Sequence, residues 1–257
     1  MKLSNLGHNL LEPIYFIFSK FYSRFTYKTQ YEIVKKNISN KNIFIIATGP
    51  SLDEFNFKKI KNSTFILINA SIEILKKIPK NNIIFWSTSD VSKIHDFVPK
   101  LPDNFRCLVT SSKYRGIIDL IRSNHEIIYF HSQSCIFLKK FNFLSFFKIT
   151  IPMFGPKILN SSIIDPEKIL KKNIVTLPGG TSVLFVLIVI MKMSPKSINL
   201  VGFDIGSVKK KHYSSLKYHS NKKISFDVKY IKTVFKKILV SLKKRKIKLK
   251  KYSKYII

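Results

Sequence analysis

Short apolar runs alternate with polar stretches along most of the chain. Runs of this length, rich in β-branched and aromatic residues and bounded by polar or glycine-containing segments, predict β-strands. Six such runs predict strands at residues 43–47, 65–69, 83–87, 107–110, 126–130 and 198–202, and alternating lysines and apolar residues predict a seventh at 246–252. Several end in small polar residues, as strands of open α/β sheets do where they bind ligands. The pattern therefore predicts an α/β protein with a mostly parallel sheet.

Two longer segments predict helices. Residues 183–191 are nine consecutive apolar residues, too few to cross a membrane and suited to a helix buried within the fold, which Pro195 ends. Residues 226–244 repeat apolar side chains at helical spacing, so this helix packs on the sheet by one face. The apolar positions are Ile231, Val234, Phe235, Ile238, Leu239 and Leu242. Residues 72–79 predict a short helix, and residues 132–172 predict loops and short helices.

The first forty residues differ from the rest of the chain. Aromatic and aliphatic residues recur there at helical spacing and are interrupted by charged residues, so residues 1–40 form a predicted N-terminal helical segment before a domain at 41–257. No apolar run reaches the roughly 18 residues of a membrane-spanning helix, and no signal-peptide cleavage site follows. Two interpretations stay open: the helix lies in a membrane interface, or it packs on the domain.

Composition adds a strong positive charge. The chain has 46 lysines and arginines against 14 acidic residues, a net charge of +32. One part of this excess fits solvated faces, and the remainder indicates an anionic partner such as an acidic membrane surface, a phosphorylated substrate or nucleic acid. Nucleic acid is the least favoured, because no known nucleic-acid-binding motif is present. Cys107 and Cys135 are too few for a disulfide scaffold or a metal site, which favours a reducing cytoplasm.

Candidate binding residues follow the predicted strands. Gly49 lies two residues after the first predicted strand, where the absence of a side chain lets the backbone approach a phosphate or a sugar. A simple tight turn is the alternative interpretation. Ser51 is a predicted helix N-cap, and Asn69 and Ser87 lie at the polar ends of the second and third predicted strands. A second unit runs from Asn173 to Gly206, with a glycine-bearing loop before the apolar helix and a strand that ends near Asp204.

The candidates for proton transfer lie near the predicted C-terminal helix. His219 precedes that helix, among the polar residues Tyr218, Ser220 and Asn221. Histidine is the side chain best matched to proton transfer near neutral pH. A lone histidine is more often structural or merely exposed, and that interpretation stays open.

Three stretches together resemble a known enzyme family. Residues 46–52, 180–204 and 218–221 occur in the order and spacing of the bacterial lipooligosaccharide sialyltransferases of the Campylobacter and Haemophilus type. The resemblance covers roughly residues 41–250 and leaves out the N-terminal segment. It implies a single Rossmann-like domain of the GT-A type, a CMP-sialic acid donor or a similar CMP-sugar, an inverting reaction, and no metal or other cofactor.

The resemblance also implies roles for individual residues. His219 matches the base that deprotonates the acceptor hydroxyl, and Tyr213 matches a tyrosine that hydrogen-bonds the departing phosphate. Ser87 stands where the family has an asparagine, Val183 where it has a glycine, and Ile205 where it has a phosphate-facing tyrosine. The implied donor-nucleotide site comprises Thr48, Gly49, Pro50, Ser51, Asn69, Ser87, Gly180, Thr181, Ser182 and Asp204.

Two other functions stay open. The pattern Gly179-Gly180-Thr181-Ser182-Val183 is also similar to archaeal hydroxymethylpterin pyrophosphokinase and to flagellin-modifying Maf proteins. The non-enzyme alternative is a basic nucleic-acid- or membrane-binding protein with a degenerate Rossmann-like fold. Under the leading hypothesis the partners are a nucleotide-sugar donor and a lipid-linked glycan acceptor. The expected location is then the cytoplasm, peripheral on the inner face of the inner membrane, with the oligomeric state open.

Overall fold

The protein is described from a computed structural model. The structure describes residues 32–88, 91–109, 126–129, 132–133, 135–136, 157–158, 175–176, 182–204 and 228–252. Four predicted site residues lie outside these ranges, namely Gly180, Thr181, Tyr213 and His219, and so does the N-terminal segment up to residue 31. The strands and helices below are those of the described residues.

Eleven described strands form one large sheet and two small ones. They are β1 (Asn42–Ile46), β2 (Thr64–Ile68), β3 (Ile83–Thr88), β4 (Arg106–Val109), β5 (Glu126–Tyr129), β6 (Ser132–Gln133), β7 (Cys135–Ile136), β8 (Lys157–Ile158), β9 (Val175–Thr176), β10 (Ser197–Val201) and β11 (Lys248–Lys251). The large sheet has the order β11-β10-β1-β2-β3-β4-β5, and every pairing within it is parallel. The small sheets pair β6 with β9 and β7 with β8.

Four α-helices and three 3-10 helices accompany the described strands. The α-helices are α1 (32–38), α2 (Val91–Phe97), α3 (Ser182–Met191) and α4 (Val228–Lys244). The 3-10 helices are Pro50–Leu52, Asn69–Lys77 and Val98–Lys100. No helix in the described part of the chain is long and apolar enough to cross a membrane.

The strand order reverses direction beside β1. The chain adds β2, β3, β4 and β5 in sequence on one side of β1, and then returns to place β10 and β11 on its other side. Ile43 of β1 accordingly aligns with Thr64 on one side and with Ile198 on the other. Ligands of open α/β sheets bind outside the carboxyl ends of the strands at such a reversal. The fold therefore marks the carboxyl edge between β1 and β10 as the expected binding position.

Two hydrophobic clusters cover the two faces of the sheet. Alternate side chains of each strand point to opposite faces, so Ile43 and Ile45 lie in the first cluster while Phe44 and Ile46 lie in the second. The first cluster also contains the buried residues of α1, α3 and α4. All ten residues of α3 are buried, which explains why this helix is apolar on every side rather than along one stripe.

The seven predicted strands and both long predicted helices are confirmed. The predicted short helix at 72–79 is present as the 3-10 helix Asn69–Lys77, which starts directly after β2. The two small sheets are not predicted by the sequence pattern, because two-residue strands are too short to show an alternation of apolar and polar positions. Strands β6, β7 and β8 lie within residues 132–172, where loops and short helices were expected.

Truncation of Ile238 tests the packing of α4 on the sheet. Ile238 is fully buried in the first cluster, so Ile238→Ala should lower the free energy of unfolding by about 2–5 kcal/mol through lost burial and a residual cavity. Val240→Ala, two residues along the same helix and at an exposed position, should change it by less than about 0.5 kcal/mol. Urea unfolding followed by circular dichroism measures both. Equal effects would contradict the observed orientation of α4.

Candidate functional site

The loop after β1 is tied to the end of β10 by backbone hydrogen bonds. The Ala47 N–H donates to the Val201 carbonyl at 2.8 Å, and the Gly49 N–H donates to the Gly202 carbonyl at 2.7 Å. These bonds continue the β1–β10 pairing past the last residue of each strand. The loop at residues 48–51 is therefore held at the reversal of strand order.

A side-chain contact also joins loop 48–51 to the end of β10, and this contact region is called the junction below. Oδ2 of Asp204 accepts hydrogen bonds from the Ser51 backbone N–H and from Ser51 Oγ, both at 2.8 Å. Ser51 Oγ in turn accepts from the Gly202 N–H at 3.2 Å. The predicted role of Ser51 as a helix N-cap is wrong, because Gly49 occupies the N-cap position of the 3-10 helix Pro50–Leu52 and no side chain caps it. The hydroxyl joins two strand ends instead.

The two glycines of this junction are required because its two backbone segments approach each other closely. A Cβ atom added to Gly49 would lie 2.4 Å from Asp204 Oδ2 and 2.5 Å from the Gly202 carbonyl oxygen, separations that real Cβ atoms do not show. Gly202 has φ +68°, a left-handed conformation that glycine adopts without steric cost. The glycine at position 49 is thus explained by the contact with β10, whether or not a ligand also approaches it.

Asn69 lies at the end of β2, one strand further along the sheet. It adopts a left-handed backbone conformation with φ 53°, which asparagine tolerates better than most residues. Its side-chain Oδ1 accepts from Thr88 Oγ1 at 2.7 Å, and its carbonyl accepts from Trp86 Nε1 at 2.9 Å. Both partners belong to β3. The side-chain nitrogen Nδ2 of Asn69 makes no hydrogen bond among the described residues. Its two N–H groups are therefore available to a ligand.

Two buried oxygen atoms at this edge have no hydrogen-bond partner among the described residues. They are Ser87 Oγ, near the end of β3, and Asp204 Oδ1, after the end of β10. Leaving a buried polar atom without a partner costs about 1–3 kcal/mol. Such atoms are rare in folded proteins, and they are expected where a ligand, an ion or water supplies the missing bond.

Helix α3 begins at the same edge of the sheet. It ends at Met191 and β10 starts at Ser197, so the helix runs antiparallel to the strands and its first turn lies toward their carboxyl ends. Ser182 in this turn is buried. The N–H groups of a helix's first turn attract anions such as phosphate. Val183, which stands where the sialyltransferases that the sequence resembles have a glycine, is buried in the first cluster as an ordinary core side chain.

The structure brings together part of the predicted site. Loop 48–51 and Asp204 are in direct contact, Asn69 and Ser87 lie at the ends of neighbouring strands, and Ser182 starts α3. Sequence reasoning missed Thr88 and Gly202. Thr88 follows Ser87 in a polar stretch and Gly202 precedes Asp204 by two residues, so the signal for each was its position at a predicted strand end. Within the described ranges, no group of three or more His, Cys, Asp and Glu residues could hold a metal ion.

The fold and the strand ends define a doubly wound parallel α/β protein with a candidate ligand site at the reversal of strand order. No protein-family model matches the chain, and no curated protein matches it.

Three solved structures similar to this chain are sialyltransferases, the class that the sequence resembles. For the monofunctional alpha-2,3-sialyltransferase Cst-I from Campylobacter jejuni, identity is 16%, coverage 85% of this chain and 81% of that chain, and the TM-score 0.39. CstII from the same organism, in complex with cytidine-5'-monophosphate, has 16% identity, with 84% of this chain and 81% of that chain covered and a TM-score of 0.38. An apo alpha-2,3-sialyltransferase from Campylobacter jejuni has 17% identity, with 85% of this chain and 77% of that chain covered and a TM-score of 0.36. These TM-scores are too low to assign a fold or an activity to this chain.

Replacement of Ser51 tests the junction between β1 and β10. Ser51→Ala removes a donor to Asp204 and the acceptor of the Gly202 N–H, so we expect a loss of about 1–3 kcal/mol in the free energy of unfolding. Ser39→Ala, at a partly exposed turn position, is the matched control and should cost less than about 0.5 kcal/mol. Urea unfolding of both variants gives the values. A Ser51→Ala variant as stable as the control would show that the junction does not depend on the hydroxyl.

Proposed function

We propose that this protein is a glycosyltransferase that moves a CMP-activated nonulosonic acid, such as sialic acid, onto a lipopolysaccharide or capsule glycan. The donor binds at the carboxyl edge of the sheet, in a single Rossmann-like domain of the GT-A type. The acceptor is a lipid-linked glycan, and the enzyme works in the cytoplasm, peripheral to the inner membrane. The reaction inverts the configuration at the anomeric carbon.

One observation supports the donor site above the others. Ser87 Oγ and Asp204 Oδ1 are buried without a partner among the described residues, on either side of the strands that end at loop 48–51 and Asn69. A nucleotide bound there would supply hydroxyl and amino groups to Asp204 Oδ1 and polar atoms to Ser87 Oγ and to the Asn69 amide. Its phosphate would lie toward the first turn of α3. These bonds would offset the cost of burying the two oxygens.

The proposed chemistry needs a base and a stabilised leaving group. The acceptor hydroxyl attacks the anomeric carbon of the donor as the bond to the CMP phosphate breaks, and His219 takes the hydroxyl proton. Tyr213 donates a hydrogen bond to the departing phosphate. Both roles follow from the resemblance of residues 218–221 and 213 to the sialyltransferase family, and both residues lie outside the described ranges.

A pterin or Maf-type transferase is the second candidate. The observation that favours it is the carboxylate oxygen Asp204 Oδ1, which has no partner among the described residues and belongs to the oxygen ligands that Mg²⁺ prefers. This function requires ATP or a related nucleoside triphosphate together with magnesium. Nucleotide preference and metal dependence therefore separate the two candidates.

A thermal-shift panel tests the donor class. CMP should raise the melting temperature, with and without EDTA, because a ligand that binds only the folded state adds about 2.7 kcal/mol at a hundred times its dissociation constant. CDP, UDP and ATP should give smaller shifts, with or without magnesium. Asn69→Ala should lose the CMP shift, whereas Ser39→Ala should keep it. A shift that needs both ATP and magnesium would support the second candidate, and no shift with any nucleotide would contradict both.

Replacement of His219 tests the proposed base. His219→Ala should lower the release of CMP from CMP-sialic acid in the presence of an acceptor by roughly 10²–10⁴-fold, the usual contribution of general-base catalysis. Its melting temperature and its CMP shift should stay unchanged, because the residue acts on the acceptor and not on the nucleotide. His8→Ala, in the N-terminal segment, is the control. Full activity in His219→Ala would reject this assignment and leave the donor site unaffected.

A further inference from the structure

The outer face of α4 presents lysines around an exposed aliphatic side chain. An α-helix turns about 100° per residue, so Val240 lies opposite the buried residues that pack on the sheet. Val240 is 56% exposed. The helix side centred on it, called the α4 surface below, consists of Lys232, Lys236, Lys237, Val240, Lys243 and Lys244. Three of these lysines, Lys236, Lys243 and Lys244, are exposed, and the other two are half-buried.

The positive charge of the α4 surface is not balanced by acidic residues of the same helix. Helix α4 contains no acidic residue, and neither do α3 and β11, two of the described elements that pack against it. Lys232 and Lys236 are one turn apart, a spacing at which like charges repel each other. Over residues 205–257 the sequence has Asp227 as its single acidic residue. A polyanionic partner would relieve this repulsion, which solvent alone only screens.

The exposed valine favours a lipid surface over nucleic acid. Peripheral helices bind membranes by combining cations, which attract anionic headgroups, with apolar side chains that enter the boundary of the hydrocarbon region. Val240 lies in the middle of the lysines, where it would enter the lipid as they reach the headgroups. An aliphatic side chain does not contribute to binding a nucleic-acid backbone, since the affinity of proteins for that backbone comes from neutralised phosphates.

The N-terminal segment joins the fold on the same side of the sheet. Val34 and Ile38 of α1 are buried in the first hydrophobic cluster, together with the inner face of α4. The sequence that leads into α1 is rich in aromatic and basic residues, including Phe16, Phe18 and Phe21. Helix α1, the described end of the N-terminal segment, thus packs on the same side of the sheet as α4.

We propose that the α4 surface docks the protein on an anionic membrane. Lysine side chains bind the headgroups, and Val240 contacts the acyl boundary. This surface lies on a face of the sheet, whereas the candidate donor site lies at the carboxyl edge. Membrane docking deepens the peripheral location given under the proposed function, but it does not require the proposed reaction, so docking and reaction can fail independently.

Vesicle binding by the full-length chain tests the proposal. The test variant carries Lys236→Glu, Lys243→Glu and Lys244→Glu. The control variant carries Lys58→Glu, Lys59→Glu and Lys76→Glu, at exposed positions around the second hydrophobic cluster on the opposite face. Each variant reverses three lysines, so the two have the same net charge. Co-sedimentation is measured with vesicles of phosphatidylcholine alone and of phosphatidylcholine with phosphatidylglycerol.

The wild-type chain should bind the phosphatidylglycerol vesicles, and binding should weaken as salt is added. The α4 variant should bind them at least about tenfold more weakly, since each lysine near an anionic surface contributes about 1 kcal/mol. The control variant should lose less than about threefold. Val240→Ser should also weaken vesicle binding, and it should leave the binding of an RNA duplex unchanged.

Two results would overturn the proposal. An equal loss in both charge-reversal variants would mean that net charge, and not this surface, attracts the vesicles. No vesicle binding by the wild-type chain, together with RNA binding that the α4 variant loses, would assign the surface to nucleic acid. Circular dichroism and thermal unfolding check that the variants are folded. If the reversal variant does not fold, Lys236→Gln, Lys243→Gln and Lys244→Gln replace it, with the corresponding glutamines in the control.

Discussion

The candidate site depends on the junction between loop 48–51 and the end of β10. A serine hydroxyl, a carboxylate and two glycines hold two segments together that are about 150 residues apart in the sequence. The glycines allow the backbones to approach, because any Cβ at Gly49 would overlap the Asp204 carboxylate. Asp204 uses one oxygen in this junction and keeps the other buried without a partner among the described residues. Asp204 therefore stabilises the fold through Oδ2 and keeps Oδ1 as a hydrogen-bond acceptor for a ligand.

The buried helix α3 connects this junction to the rest of the domain. Burial of apolar side chains contributes about 25 cal/mol per Å² of surface removed from water, and α3 is buried on all sides between the sheet and α4. Its last residue leads to the amino end of β10, and its first turn lies toward the strand ends that carry Asn69 and Ser87. The apolar packing of α3 thus determines where its anion-attracting first turn is placed.

Charge is divided unevenly over the described elements. Outward-facing lysines of α4 and of the edge strand β11 are not interspersed with acidic residues. Lysines on an edge strand protect it from pairing with other chains, so those of β11 are explained without a partner. Edge protection does not apply to the α4 lysines, because a helix has no unpaired edge. This difference is why the membrane-docking proposal rests on α4 and not on the total charge of the chain.

Local patterns in the sequence determined the secondary structure and its class. Each strand of the large sheet except the lysine-rich edge strand β11 is a compact apolar run, and α4 shows its buried stripe directly, since both periodicities are properties of neighbouring residues. The candidate residues Gly49, Asn69, Ser87 and Asp204 could be named because strand ends are visible in the sequence. The resemblance to a sialyltransferase family supplied the donor and the catalytic roles of Tyr213 and His219.

Only the tertiary structure decided which of these residues meet. Ser51 looked like a helix cap because a serine after a turn usually has that role, yet its hydroxyl bonds to Asp204 from a distant strand. The pairing of Thr88 with Asn69 and the two partnerless oxygens depend in the same way on the order in which parallel strands lie side by side. Strand order is set by packing over the whole sheet, and a linear pattern of apolar and polar residues does not contain it.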